Sequence, residues 1–177
     1  MKFAVISDIH DNLVNLQKFL AWCKKNGVEK IICCGDVTNG ETLGILAEEF
    51  GKEIFLVRGN MEIYEEDEIE IYKNYTYGGP PSPDGFGEAS RTAIWEIDGK
   101  KIGVCHEPFL IDRVLTKGAC DFIFYGHTHK PWIETKDGVV IANPGTLGGI
   151  FAEATFAVLD TADGKLELKL LNRLTDL

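Results

Sequence analysis

The chain holds four histidines, His10, His106, His127 and His129, and each stands just past the C-terminal end of a run that reads as a β-strand. Asp8 lies two positions before His10 after the first such run, Asp36 follows the second and Asn60 the third. Taken singly, each has a plain reading. A histidine after a strand is usually a surface or hydrogen-bonded residue, an aspartate a turn or helix cap, an asparagine a turn residue. Together they make two carboxylates, four imidazoles and one carboxamide. That is too many donors for one tetrahedral zinc. The nitrogen content suits two borderline transition-metal ions better than magnesium or calcium, which prefer oxygen throughout. Asp8-x-His10 and His127-x-His129 each put two donors side by side on a short extended loop. Gly35, Gly59 and Gly126 stand beside these residues, as expected where backbone turns sharply under a ligand.

Such a set needs elements that end together. Lys2 to Ile6 is a short run rich in branched residues and reads as a buried strand. Asn12 is placed to cap a helix with Leu13, Leu16, Leu20 and Cys23 at helical spacing, closed by Gly27. Lys30 to Cys34 reads as a second strand, about Glu41 to Phe50 as a second helix, and Glu53 to Val57 as a third strand. The alternation implies parallel strands with crossover helices. The second half changes to hairpins: Thr92–Ile97 with Lys101–Cys105 across Asp98-Gly99, Trp132–Thr135 with Val139–Ala142 across Asp137-Gly138, and Thr155–Leu159 with Leu166–Leu171 across Asp163-Gly164. A short helix from Phe109 to Lys117 leads to the apolar strand Phe122 to Tyr125. This pattern predicts mixed sheets with helices outside, two sheets face to face, in a single domain over residues 1–177. Trp22, Trp95 and Trp132 are expected in the core. Tyr77 to Ser90 is crowded with glycine and proline behind the acidic run Glu65–Glu68 and the pair Tyr72 and Tyr75; the stretch reads as a solvated helix end plus an irregular surface loop, and the sharper reading is a loop over a cleft.

Composition excludes several partners. Eighteen Lys+Arg against 28 Asp+Glu leave a net charge of −10 over 177 residues. That balance opposes a general nucleic-acid clamp and an anionic membrane surface, but not a small phosphate ester, because bound metal ions reverse the local field. The N-terminal apolar run, Phe3 to Ile6, is too short for a secretory signal, and no later run approaches a membrane span. Five cysteines without Cys-x-x-Cys spacing read as buried thiols of a reducing cytoplasm. A phosphate loop and a nucleophilic serine elbow are both missing. Nothing specifies an oligomeric state.

The order Asp8-x-His10, Gly35-Asp36, Gly59-Asn60, His106 and Gly126-His127-x-His129 resembles the calcineurin-like metallophosphoesterase superfamily. With the Asn143-Pro144-Gly145 turn and the length, it is most similar to the small stand-alone phosphodiesterases of that group. The resemblance spans nearly the whole chain, least clearly Glu62 to Arg91. It implies a four-layer αββα sandwich of two mixed sheets flanked by helices. It also implies that Asp8, His10 and His129 hold one divalent metal, that Asn60, His106 and His127 hold a second, and that Asp36 bridges them. A shared carboxylate lowers the repulsion between two dications about 3.5–4 Å apart. Manganese is the first choice, with iron, nickel and zinc as alternatives. The implied chemistry is attack of a metal-bridging hydroxide on a small phosphate ester, with Asp36, Asn60 and His127 in the catalytic machinery.

Two positions depart from the family pattern. Many members carry a histidine after the Gly-Asn pair to protonate the leaving oxygen, and this chain has Met61, a thioether that donates no proton. General acid help is worth about 10²–10⁴-fold, so the change favours diesters with good leaving groups. The side chain itself is expected to pack beneath the site. After His106 stands Glu107 where the family commonly has a small residue. Glu107 is expected to orient an imidazole or to lie on the surface, with a substitute general acid as a lesser reading. The other readings are a phosphomonoesterase or nucleotide pyrophosphohydrolase on the same site, and a non-catalytic scaffold such as the superfamily's retromer subunit.

Overall fold

In the computed structural model, which describes residues 1–78 and 91–174, the elements run β1 (Lys2–Ile6), α1 (Leu13–Lys25), β2 (Lys30–Cys33), α2 (Gly40–Phe50), β3 (Ile54–Leu56), α3 (Glu66–Glu70), β4 (Tyr75–Tyr77), β5 (Thr92–Ile97), β6 (Lys100–Cys105), α4 (Ile111–Lys117), β7 (Phe122–Phe124), β8 (Trp132–Lys136), β9 (Val139–Asn143), β10 (Thr155–Asp160) and β11 (Lys165–Leu170). One sheet has the order β11-β10-β1-β2-β3-β4 and the other β5-β6-β7-β9-β8. Both are mixed. β1 to β4 pair in parallel, while β10 joins β1, and β11 joins β10, antiparallel. In the second sheet β6, β7 and β9 are parallel, with β5 and β8 added antiparallel at the edges.

Alternation along the strands separates the layers, since successive side chains point to opposite faces. Phe3 and Val5 of β1 join Ile32, Phe55, Ile102, Val104, Phe122 and Phe124 in the core between the sheets. Ala4 and Ile6 face the other way, toward Leu16, Phe19 and Cys23 of α1 and Leu43 and Leu46 of α2. On the far side of the second sheet, Cys105, Ile123 and Ile141 pack on Val114 of α4. The result is the expected helix, sheet, sheet, helix order. The helix ends follow local chemistry. Asn12 and Asn39 accept from the backbone N–H groups of Asn15 and Thr42 at the starts of α1 and α2, and Gly51 ends α2 at φ 65°.

Register brings the strand ends to one edge. Ile6 pairs with Cys33 and Cys33 with Leu56, while Val104 pairs with Phe124 and Phe124 with Ala142. Residues one to five positions past the strand ends therefore emerge in two adjacent rows.

The structure corrects several expectations. Tyr75–Tyr77, which the sequence did not mark as a strand and whose last residue opened the expected loop, is a fourth parallel strand, because β3 offers an open edge that three residues suffice to occupy. Part of the acidic run does form a short helix, α3. Trp132 is 55% exposed, on an edge strand whose five residues are all exposed. Trp22 does lie in the core. Most of the expected loop from Tyr77 to Ser90 lies outside the described residues. No helix among the described residues is long and apolar enough to cross a membrane.

Candidate metal centre

All seven residues singled out from the sequence meet where the two sheets adjoin. Asp8 and His10 follow β1, Asp36 follows β2, Asn60 follows β3, His106 follows β6, and His127 and His129 follow β7. The rows interlock: Asp8 Oδ1 lies 3.1 Å from His129 Nε2, and Asp36 Oδ2 lies 3.3 Å from His106 Nε2. Five of the seven have left-handed backbone, with φ of 55° at Asp8, 46° at His10, 56° at Asp36, 66° at His127 and 57° at His129. Aspartate and histidine tolerate this region better than branched residues, yet each such position costs about 1–3 kcal/mol. Side-chain placement, not backbone comfort, has set these loops.

Each carboxylate is half committed. Asp8 Oδ2 accepts the His127 N–H at 3.0 Å, and Asp36 Oδ1 accepts the Met61 N–H at 2.9 Å. The remaining oxygens face imidazoles. Asp8 Oδ1 is buried and makes no hydrogen bond; His10 Nε2 lies 3.6 Å from it and 3.7 Å from Asp36 Oδ2. The rings are oriented from behind. His106 Nδ1 donates to Cys34 O at 2.7 Å and His129 Nδ1 to Ile150 O at 3.0 Å. A carbonyl can only accept, so Nδ1 carries the proton and Nε2 is presented to the cluster. His10 and His129 bring their Nε2 atoms to 3.2 Å, and Asn60 Oδ1 lies 3.0 Å from His106 Nε2 and 2.8 Å from His127 Nδ1.

Donor atoms of Asp8, His10 and His129 lie within 4.8 Å of one another, and so do those of Asp8, Asp36 and His106. Lone pairs converging at these distances repel unless a proton or a cation stands between them. The orphaned oxygen of Asp8 and the facing nitrogens of His10 and His129 therefore fit a divalent cation. Without one, protons carry the compensation. Burial opposes charging of His106, but the bond and charge of Asp36, the charge of Asp8 and the Cys34 carbonyl outweigh it and raise its pKa to about 9. The nearby Asp8 carboxylate, helped by the charge of Asp36, raises His10 against its own burial. Burial works to raise Asp36, yet His106, the Met61 N–H and His10 hold its carboxyl below the usual range.

Three further residues support the donors, and only Glu62 was not legible in the sequence. Glu62 accepts from Val37 N at 3.2 Å, Thr38 N at 2.7 Å and Gly59 N at 3.2 Å, tying the loops that carry Asp36 and Asn60. Asn143 donates to Gly126 O at 2.8 Å and Thr128 Oγ1 at 3.0 Å and accepts from Gly145 N at 2.8 Å, bracing the His127–His129 loop. Gly59 is required by close approach, since a Cβ there would meet Asp36 Oδ1 at 2.0 Å. Asn143 had a signal in its Asn-Pro-Gly turn, whereas Glu62 looks like any turn carboxylate.

Two expectations about neighbours are corrected. The Met61 side chain is 52% exposed, so it does not pack beneath the site; its backbone N–H is what serves Asp36. Glu107 is buried and pairs with Arg91 Nη1 at 2.7 Å, with no hydrogen bond to an imidazole among the described residues. Its own burial made that guanidinium necessary.

With this geometry in hand, comparison with known proteins is informative. The family model described as the calcineurin-like phosphoesterase superfamily domain matches residues 1–164. A phosphodiesterase of Methanocaldococcus jannaschii is 26% identical over 175 residues, covering 91% of this chain and 93% of the relative. A probable metallophosphoesterase of the same archaeon is 31% identical over 156 residues, covering 82% of this chain and 68% of the relative. Among solved structures, an archaeal phosphodiesterase superposes with a TM-score of 0.81 at 25% identity, over 96% of this chain and 99% of the other. Vacuolar protein sorting 29 of Cryptosporidium parvum shares the fold alone, with a TM-score of 0.62 at 22% identity over 95% of each chain.

Two outcomes follow from the bracing and the charge balance. Glu62→Ala strands three backbone donors, so chemical denaturation should show a loss of about 1–3 kcal/mol, with weaker metal binding in the same protein. Because His10 and His106 are raised, a cation must displace protons; manganese affinity should rise with pH until about 9. Calorimetry in buffers of different ionisation enthalpy should register the released protons.

Proposed function

This chain belongs to the calcineurin-like phosphoesterase superfamily, and on that premise we propose that it is a phosphodiesterase that works with two divalent transition-metal ions. The observation that carries the reading is Asp36 Oδ2, 3.7 Å from His10 Nε2 and 3.3 Å from His106 Nε2 and so common to both groups of donors. Asp8, His10 and His129 would hold one ion, Asn60, His106 and His127 the other, and Asp36 both. Manganese is the first candidate, with iron, nickel and zinc behind it, because sites of this donor type discriminate weakly and availability decides. When bound, the ions supply a water acidified to near neutral pKa and positive charge opposite the phosphoryl oxygens.

The protein's own contribution is placement. Asp8 and Asp36 are fixed by the His127 and Met61 N–H groups, and His106 and His129 by carbonyls, so no donor has to reorganise as charge develops. The Asn60 carboxamide stands between His106 and His127, with its Oδ1 within 3.0 and 2.8 Å of their ring nitrogens. Met61 offers the leaving group no proton, which favours diesters with good leaving groups over alkyl monoesters. A small phosphate ester suits a chain of net charge −10 only through the cations at this site. The setting proposed is the cytoplasm, which suits five free cysteines, four of them buried.

The deciding experiment adds manganese to metal-stripped protein and compares bis-p-nitrophenyl phosphate with p-nitrophenyl phosphate. Metal-dependent cleavage favouring the diester is expected, and Asp36→Asn should lower turnover by about 10²-fold or more while circular dichroism stays unchanged. Better cleavage of the monoester would overturn the diester preference. An unimpaired, folded Asp36→Asn protein would sink the assignment of the shared ligand. No cleavage of either ester with metal bound would favour a scaffold.

A further inference from the structure

The segment after β9 runs along the centre. Leu147 N and Gly148 N donate to Ser7 O and Asp8 O, each at 2.9 Å, and Ile150 O receives the His129 Nδ1 proton. The next residue is Phe151. Its backbone is left-handed at φ 62°, in a segment where Gly145 and Gly149 take the other positive φ positions. Its side chain is 97% exposed, the highest value among the exposed large hydrophobic residues. The ring lies against His129, with centroids 6.0 Å apart and planes 28° from parallel.

Both features are unfavourable for a phenylalanine. A bulky residue is strained at positive φ, where glycine or asparagine fits, and an apolar ring gains nothing from standing in water. At 97% exposure the ring stands almost wholly in solvent, with one face turned toward His129 and the other outward. His129 in turn presents Nε2 to Asp8 and His10, at 3.1 and 3.2 Å. The imidazole that Phe151 stacks on is thus one whose far edge belongs to the donor cluster. The Phe151 ring thus stands one imidazole away from the cluster, so the substituent of an ester held there has only that ring's width to cross to reach it.

We propose that Phe151 is a stacking platform that selects phosphate esters bearing a planar aromatic group, an aryl ring or a nucleobase, and that the aromatic group covers its outward face. Phe151 determines specificity and takes no part in the chemical step. The proposal rests on the phosphoester reading of the neighbouring centre. Met61, next to Asn60, is likewise an apolar side chain left in solvent beside a donor residue. Stacking in an offset geometry contributes beyond buried area, and it is indifferent to the identity of the ring.

The test separates the ring from the phosphoryl anchor by equilibrium binding to manganese-loaded protein, using methylphosphonate, phenylphosphonate and thymidine 5′-monophosphate. Wild type should bind phenylphosphonate roughly three- to tenfold more tightly than methylphosphonate. Phe151→Ala should abolish that preference and leave methylphosphonate affinity and metal content unchanged, while Phe151→Trp should restore it. The same pattern with the thymidine ester extends the platform to nucleobases, and its restriction to the phenyl ligand confines the platform to aryl groups and overturns the nucleobase arm. Equal binding of phenyl- and methylphosphonate by wild type, or a preference that survives Phe151→Ala, overturns the platform. Loss of methylphosphonate binding in Phe151→Ala would assign the ring to propping His129 instead. If none of the three binds metal-loaded wild type, the phosphoester reading fails, and the platform with it.

Discussion

Asp8 and Asp36 are buried side by side at the seam between the two sheets, and both are deprived of most of their water. Removing a carboxylate from water costs several kcal/mol unless opposite charge and hydrogen bonds replace the lost solvation. The fold supplies half of that replacement. One oxygen of each receives a backbone N–H from a neighbouring loop, His127 for Asp8 and Met61 for Asp36. The other oxygen of each is left to face imidazole nitrogens and whatever positive charge they gather. The same loops are tied together by bonds that do not involve the carboxylates, from Leu147 and Gly148 to Ser7 and Asp8. Assembly of the two sheets and assembly of the centre are therefore one event.

The strain in the structure is distributed to match. Left-handed residues other than glycine occur in hairpin turns at Asp98 and Asp137, where turns ask for them, and otherwise in the loops around the donor cluster. Those loops hold their shape because buried polar groups brace them from below. Glu62 gathers three N–H groups from two loops, and Asn143 spans Gly126, Thr128 and Gly145. The apolar layers between the sheets and beneath α1 and α2 offset the cost of this strained, polar edge. A rigid donor set in turn has little to reorganise when a cation or a transition state arrives.

Likeness of fold does not by itself specify activity, since the same architecture is shared by a phosphodiesterase and by a vacuolar protein sorting component. What bears on chemistry is atomic: an orphaned carboxylate oxygen, two nitrogens facing one another, and a carboxamide between two rings. Around these polar atoms the exposed side chains are apolar: the Met61 thioether follows Asn60, and the Phe151 ring stands near His129.

The donors, their order and the alternation of strands and helices could be read from the sequence, because each is a local property. Hydrophobic runs stop at Ile6, Cys34 and Val57, and the candidate donors stand just after them. What the sequence could not determine is anything set by a partner distant along the chain. β4 is three residues long and exists because β3 has an edge to fill. Trp132 looks like a core residue, but its strand lies at the sheet's exposed margin. Met61 and Glu107 resemble a packing residue and an imidazole partner, yet tertiary contacts leave one side chain in solvent and pair the other with Arg91. Glu62 is a turn carboxylate until the N–H groups of Val37 and Thr38, from another loop, and of Gly59 converge on it. Residue type and period thus determined which groups were available. Only the closing of two sheets over one edge decided which atoms face each other, because burial and bond partners are properties of the assembled core.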